Sequence, residues 1–304
     1  MLPKELQDRL QEIDGLVSYR LSKGLRIGEH RSRKTGSGLD FINIREYEPG
    51  DDLHQIDWRA SAARTTDDAP LLVKEFVEPK EVLTVMVADL SRSILFGSSP
   101  LKSYFLMELL GAIAFTSSHL GDAVGCVGFD QEVCLSLKPR GGKNQVYYLL
   151  EQLWEKLEQG SKKFQPQTTD LNAALRQIEQ QSRRPCFLPI VSDFLGGAHA
   201  VDRAVLKSLA LRHDLIAFRP VVPEEENFKR RYGFIKIRDV ETGQTVRLSQ
   251  KDLVVVMAEL NKQKEALQKD VIGLGGDWID LPWDTEKKYL DRLVEKFLER
   301  RILR

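Results

Sequence analysis

The apolar positions change their period along the chain. Leu6, Leu10, Ile13, Val17 and Leu21 recur at helical spacing, which predicts an amphipathic N-terminal helix that needs a surface to pack on. Leu72 to Glu78 reads as a short extended segment. From Glu81 onward short apolar runs alternate with helical patterns, and the strand candidates are 82–88, 124–129, 133–137, 186–191 and 215–219. Residues 101–119 are apolar almost all the way round, as in a helix wedged between a sheet and neighbouring helices. Val146, Leu149, Leu150, Leu153, Trp154 and Leu157 mark one face of the next helix, and helices around 170–181 and 202–212 follow. Residues 234–238 and 245–248 flank Glu241-Thr242-Gly243-Gln244 as a β-hairpin inserted at about 230–250. A helix near 251–269, a strand near 277–281 and a last helix with Leu290, Leu293, Val294, Phe297 and Leu298 on one face complete the pattern. This alternation predicts an α/β fold with a mostly parallel sheet flanked by helices. It also divides the chain into an N-terminal helical and extended segment, 1–80, and a sheet domain, 81–304.

Composition narrows the function classes. The 304 residues carry 45 Lys+Arg and 45 Asp+Glu, so the chain lacks the global positive field of a nucleic-acid binder, and no nucleic acid is expected as a partner. Charge is nevertheless arranged in blocks. Arg20 to Lys34 holds six basic residues and one acidic, whereas Gly36 to Arg64 holds six acidic and three basic. Two solvated or mutually paired faces account for this, because no aromatic residues interleave the basic run His30-Arg31-Ser32-Arg33-Lys34. Cys126, Cys134 and Cys186 are odd in number, lie in apolar runs and lack C-x-x-C spacing, so they read as reduced core residues. No apolar run approaches the ~20 residues that span a bilayer. Met1 to Glu5 leads into a charged helix instead of a signal peptide, so the expectation is a cytoplasmic protein without membrane insertion.

The chemistry concentrates at strand ends. Val85-Met86-Val87-Ala88-Asp89-Leu90-Ser91-Arg92-Ser93 reads as a buried strand whose carboxyl end delivers one carboxylate and two hydroxyls, and that edge is where open α/β sheets bind ligands. Oxygen donors alone suit a hard cation such as Mg²⁺, Mn²⁺ or Ca²⁺ and disfavour zinc or copper. Gln167-Thr168-Thr169-Asp170-Leu171 places a hydroxyl just ahead of a helix, and Phe187-Leu188-Pro189-Ile190-Val191-Ser192-Asp193 delivers a second carboxylate at a strand end. Taken separately, each is an N-cap or a strand-end Asp.

Together, in this order, these residues resemble the metal-ion-dependent adhesion site of von Willebrand factor A domains, Asp-x-Ser-x-Ser, then Thr, then Asp. The matching positions are Asp89, Ser91, Ser93, Thr169 and Asp193. The resemblance implies a von Willebrand factor A-like, Rossmann-like sheet domain. It also implies that Ser91, Ser93 and Thr169 contact the cation, with Asp89 and Asp193 bound directly or through water. One position is left open for a carboxylate from a partner. Two departures stand out: Asp193 is followed by Phe194 where many such domains have Gly, and Val222-Pro223-Glu224 replaces an Asp-Pro-x-Glu.

A second resemblance rests on a longer motif. Gly36-Ser37-Gly38-Leu39-Asp40-Phe41, then Arg45-Glu46-Tyr47-Glu48-Pro49-Gly50-Asp51-Asp52, then Ile56-Asp57-Trp58-Arg59-Ala60-Ser61-Ala62-Ala63-Arg64 is similar to the signature of a bacterial family of unknown function. Its members are typically encoded beside MoxR-type AAA+ ATPases. This resemblance covers nearly the whole chain. It implies a role with such an ATPase in assembling or activating protein complexes, with a client protein offering Asp or Glu to the metal. Read physically, Pro49-Gly50 forces a turn, and Asp51 and Asp52 can cap the next segment or pair with Arg45, Arg59 or Arg64. Tyr47 and Trp58 offer large apolar area with a polar tip. Arg45, Glu46, Tyr47, Asp51, Asp52, Asp57, Trp58, Arg59 and Arg64 therefore form either a partner surface or an intramolecular clamp on the N-terminal helix.

The expected function is a non-enzymatic, metal-dependent binding module. The competing class is a Mg²⁺-dependent phosphoryl-transfer or hydrolytic enzyme, since an Asp at a strand end can act as a nucleophile beside a metal. Against it, the Asp-x-Asp of haloacid-dehalogenase-like phosphatases has Ser91 at its second position, and no Gly-x-x-x-x-Gly-Lys-Ser/Thr loop is present. A scaffold with a vestigial metal site is the third possibility.

Overall fold

The computed structural model describes residues 2–28, 40–62, 70–77, 82–91, 94, 101–162, 169–194, 201–222, 235–238, 245–248 and 250–302. It forms two compact units, one made of Met1–Gly24 with Val82–Arg304 and the other of Leu25–Glu81. The N-terminal helix thus groups with the sheet and not with the signature segment that follows it.

The larger unit is a mixed α/β structure around a six-stranded sheet. Its strands are β3 (Leu83–Asp89), β4 (Ala123–Phe129), β5 (Val133–Arg140), β6 (Cys186–Val191), β7 (Asp214–Val221) and β10 (Asp277–Pro282), in the spatial order β10-β7-β6-β3-β4-β5. All neighbours are parallel except β4 and β5. Central strands β4 and β6 are buried along their whole length, as expected where helices cover both faces of a parallel sheet. Edge strand β5 instead alternates, and it ends in Lys138, Pro139 and Arg140, residues that discourage further strand pairing. Pro189 sits within β6 without a backbone N–H to give. The β3–β6 pairing joins Leu83–Thr84 to Cys186–Phe187 and Val87–Ala88 to Ile190–Val191, on either side of it.

Two helical layers sandwich this sheet. One cluster holds α1 (Lys4–Gly28), α3 (Leu101–His119), α4 (Lys143–Lys162) and α8 (Tyr289–Ile302) against Met86, Ala88, Cys126 and Phe218. The other holds α5 (Leu171–Gln181), α6 (Arg203–Arg212) and α7 (Gln250–Gly273) against Val85, Val87, Val127, Leu188 and Ala217. Successive side chains of a strand point to opposite faces, so Met86 and Ala88 join one layer and Val85 and Val87 the other.

The stripe predicted on α1 is fully used: Leu6, Leu10, Ile13 and Val17 are all buried. Gly111 of α3 permits this close approach, because a Cβ there would lie 2.6 Å from the Leu10 side chain. Polar ties then fix α1. The buried Glu108 accepts hydrogen bonds from Arg9 Nη1 at 3.0 Å and from the Tyr289 hydroxyl at 2.7 Å, Lys287 donates to Glu12 at 2.6 Å, and Arg20 pairs with Asp291. The inserted hairpin is present as β8 (Ile235–Arg238) and β9 (Thr245–Leu248), paired antiparallel.

In the smaller unit, β1 (Asp40–Glu46) pairs antiparallel with β2 (Leu72–Val77), and a bridge between Ile56 and Val73 ties the intervening segment back. That segment holds a 3-10 turn, Leu53–Gln55, and the short helix α2 (Trp58–Ala62). No helix among the described residues is long and apolar enough to cross a membrane.

Candidate functional site

Strand direction assembles the site. From β3 the chain crosses to β4 on one side, and from β6 it crosses to β7 on the other, so the crossovers diverge between β3 and β6. Ligand sites of open α/β sheets form at such a reversal, outside the carboxyl ends of the strands. Asp89 is the last residue of β3, and Asp193 lies two residues beyond the end of β6. Both are buried, as are Ser91 and Ser192.

Hydrogen bonds tie the two strand ends together. Ser91 donates its backbone N–H to Asp89 Oδ1 at 2.9 Å, and the Ser192 hydroxyl donates to Asp89 Oδ2 at 2.5 Å. Ser192 Oγ in turn accepts the Phe194 N–H at 3.0 Å. Phe194 adopts φ +53°, so the position where a Gly is usual keeps the left-handed backbone that favours Gly. Its ring packs on Trp278 with centroids 4.5 Å apart, which holds the strained residue in place. On the other side, Lys102 from the first turn of α3 donates to Asp193 Oδ2 at 2.7 Å, with side chains only 7% and 1% exposed.

Thr169 reaches the same edge through its neighbour. Asp170 donates its N–H to the carbonyl of Asp130, one residue past the end of β4, and its side chain caps α5 by accepting the Asn172 N–H at 2.9 Å. Thr169 is half-buried there. Ser93 lies outside the described residues. Four of the five expected metal positions are therefore placed at one end of the sheet; Ser91 and Ser192 both bond Asp89, and Asp193 follows Ser192 directly.

The electrostatics of the cluster follow from burial. Loss of hydration pushes the Asp89 carboxyl up to about 7, and the negative charge of Asp193 adds to this, while hydrogen bonds from Ser192 and Ser91 oppose it. The donor set fits a hard cation: two carboxylates and hydroxyl oxygens, in a place where the carboxylates repel each other. Among the described residues no three His, Cys, Asp or Glu side chains converge on a metal position, so such an ion would depend on the hydroxyls as well. Sequence reasoning missed Lys102 and Ser192. The signal for Lys102 was the helix around it, because a lysine in a helix buried on nearly all sides needs a carboxylate.

The signature segment is organised by a different set of contacts. Arg45 grips Asp51 with two hydrogen bonds of 2.7 Å each, which holds the Asp51 carboxyl down to about 2. Asp51 also closes the turn over Pro49-Gly50, where Gly50 takes φ +118° and the Asp51 N–H reaches the Glu48 carbonyl at 3.1 Å. Asp52 caps the 3-10 turn through the His54 N–H, and Asp57 caps α2 through the N–H groups of Arg59 and Ala60 while pairing with Lys74 at 3.1 Å. Asp52 thus acts as a cap, Asp57 as a cap and a partner of Lys74, and among the described residues Asp51 takes one of the expected arginines. Glu46 ends β1 opposite Leu72, and Tyr47 donates its N–H to the Leu71 carbonyl at 2.7 Å. Trp58 and Leu53 remain 63% and 62% exposed. Arg64 lies outside the described residues.

The chain is 26% identical over 245 residues to uncharacterised proteins of Mycobacterium tuberculosis and Mycobacterium bovis, covering 79% of this chain and 72% of each relative. Among solved structures it is similar to the conserved hypothetical protein BatB from Bacteroides thetaiotaomicron, with 15% identity and a TM-score of 0.42 over 72% of this chain and 98% of that one. An aerotolerance-related membrane protein from Bacteroides fragilis gives 17% identity and a TM-score of 0.42 over 72% and 99% of the two chains. The family is another matter: the family model described as "Protein of unknown function DUF58" matches residues 43–266, which takes in most of the signature as well as Asp89, Ser91, Thr169 and Asp193, and the chain belongs to that family.

Proposed function

We propose that this protein is a non-enzymatic, metal-dependent protein-binding module of the von Willebrand factor A type, working with a MoxR-type AAA+ ATPase as adaptor or substrate receptor. One observation carries the reading: two buried carboxylates, Asp89 and Asp193, stand at the ends of adjacent parallel strands where the crossovers diverge, with the Ser91 backbone and the Ser192 hydroxyl already locking Asp89 in place. Asp89, Ser91, Thr169 and Asp193, with Ser93, would hold Mg²⁺ or a similar cation, which when bound supplies an open coordination position for a partner's Asp or Glu. The chain's own part is to hold its donors rigid before the partner arrives, which lowers the ordering cost of binding. Exposed Trp58 and Leu53 give the signature segment an apolar surface suited to the ATPase, the second partner.

An enzymatic reading is less well supported, because Asp89 has both carboxylate oxygens engaged by its neighbours and is 2% exposed, a poor disposition for a nucleophile. The test is calorimetric titration of Mg²⁺ and Mn²⁺ into chelator-stripped wild type and Asp89→Ala, with unfolding followed in parallel. Saturable binding lost in a folded Asp89→Ala variant, together with partner capture that depends on the cation, supports the module. Phosphate-ester turnover that disappears in Asp89→Asn would replace it with the enzyme.

A further inference from the structure

Lys102 has no role in the site as read above, and its position is costly. It lies in the first turn of α3, where the helix end carries partial positive charge, so the helix itself repels an ammonium. It is also buried, and desolvating a lysine costs several kcal/mol unless a carboxylate offsets the loss. Asp193 is such a carboxylate and accepts from Lys102 at 2.7 Å. This carboxylate belongs to the candidate cation site, so the ammonium stands beside donors that a metal would need.

Charge counting limits what can coexist there. With a metal bound and Asp89 ionised, Asp89 and Asp193 contribute two negative charges and Lys102 one positive charge among the described residues. A divalent cation arriving with the ammonium in place would set three positive charges against two negative ones in a buried volume. At an effective dielectric near ~20 a divalent ion a few Å away repels the ammonium about twice as strongly as one carboxylate attracts it, which removes the hold of Asp193 on Lys102. Lys102 is the mobile partner: its four-carbon stem allows the head to swing to solvent, whereas Asp193 is fixed by the backbone beyond β6.

We propose that Lys102 is a tethered cation that holds Asp193 in the metal-free protein and leaves it when a divalent cation binds, so that the site works by exchange of ammonium for metal. This rests on the cation-site reading of the preceding section. Exchange makes the site selective by charge. A monovalent ion offers Asp193 no more than the ammonium already does, while a divalent ion does. Lys102 thereby sets the threshold concentration of metal at which the site fills.

Two measurements test this. Mn²⁺ binding followed by electron paramagnetic resonance compares wild type, Asp89→Ala and Lys102→Met, with circular dichroism reporting the fold. Tighter Mn²⁺ binding by Lys102→Met, by about tenfold or more, is the size expected for removing one nearby unit charge. The second measurement uses unaltered protein, so it stands even where Lys102→Met fails to fold: acetic anhydride labelling of Lys102, read by mass spectrometry, is expected to rise several-fold on Mn²⁺ saturation as the ammonium leaves Asp193. Wild type that binds Mn²⁺ through Asp89 but shows unchanged Lys102 labelling, or a folded Lys102→Met with equal or weaker affinity, overturns the exchange and leaves the cation site standing. Folded wild type and Lys102→Met that both bind no Mn²⁺ overturn the cation site and the exchange together.

Discussion

The two charge-rich regions of this protein use the same residue types to opposite ends. In the signature segment Arg45, Asp51, Asp57 and Lys74 lie at or near the surface, and their contacts shape a turn, a cap and a strand connection. At the carboxyl edge of the large sheet Asp89, Asp193 and Lys102 are withdrawn from water, and their contacts leave a carboxyl pushed up to about 7 and an ammonium held in an unfavourable helix turn. Exposed pairs contribute little to stability because water and salt compete with them. Buried ones are expensive and persist only where a partner offsets the lost hydration. The lesson is that burial combined with a place at the carboxyl ends of the strands marks the candidate site, since the equally buried Glu108 serves only to tie α1.

Breaking each region in turn sharpens this contrast. Asp193→Ala deprives the buried Lys102 of its carboxylate and should cost about 3–5 kcal/mol in urea unfolding, the range for severing one partner of a buried ion pair. Arg45→Ala, the matching cut in the signature segment, should move the midpoint far less and lose its effect in high salt. Equal losses from the two variants would erase the distinction.

The pH dependence gives the next largest effect. Asp89 holds its proton to about 7 in the folded chain against an ordinary value of 3.8, so the folded state binds more protons between those limits. Metal-free stability should therefore fall as pH rises from about 4 to about 7 and then level off, by up to about 4 kcal/mol in all. Asp89→Asn should flatten this decline, and saturating Mn²⁺ should flatten it in wild type, since a bound cation favours the ionised form. A wild-type profile already flat over that window, measured without metal, would show that burial and the neighbouring Asp193 do not raise the Asp89 carboxyl. The smallest effect on stability is expected from Trp58→Ala, within about 0.5 kcal/mol for so exposed a side chain. The same variant should weaken retention of the ATPase on immobilised protein, and undiminished retention would take Trp58 out of the partner surface.

Much of the fold was legible because its strands are of the fully buried kind. Runs such as 186–191 contain no charged residue and end at polar ones, so their limits stand out, and the helices between them carry clean apolar stripes. Strand β1 was not legible. Asp40–Glu46 includes Asn43 and charged ends, and it pairs with β2 across a register shift near Asn43, so neither alternation nor burial announced it. The grouping of α1 with the sheet was equally hidden, since an apolar stripe tells that a helix packs and not on what. The carboxylates of the site were visible because strand-end Asp residues follow apolar runs. The Lys102 contact spans 91 residues of sequence, and no spacing rule reaches that far.

The ties made by α1 bear on how the chain folds. Residues within the first helix meet partners near the far end of the sequence, Glu12 with Lys287 and Arg20 with Asp291, 275 and 271 positions apart. Contacts this distant form late, because the loop between them must be closed first. During synthesis α1 emerges well before α8, so its leucine stripe spends that interval without its final surface, a period in which a chaperone has something to hold. A chain cut short before residue 287 would lack both ties and leave α1 to its contacts with α3, Leu10 against Gly111 and Arg9 with Glu108.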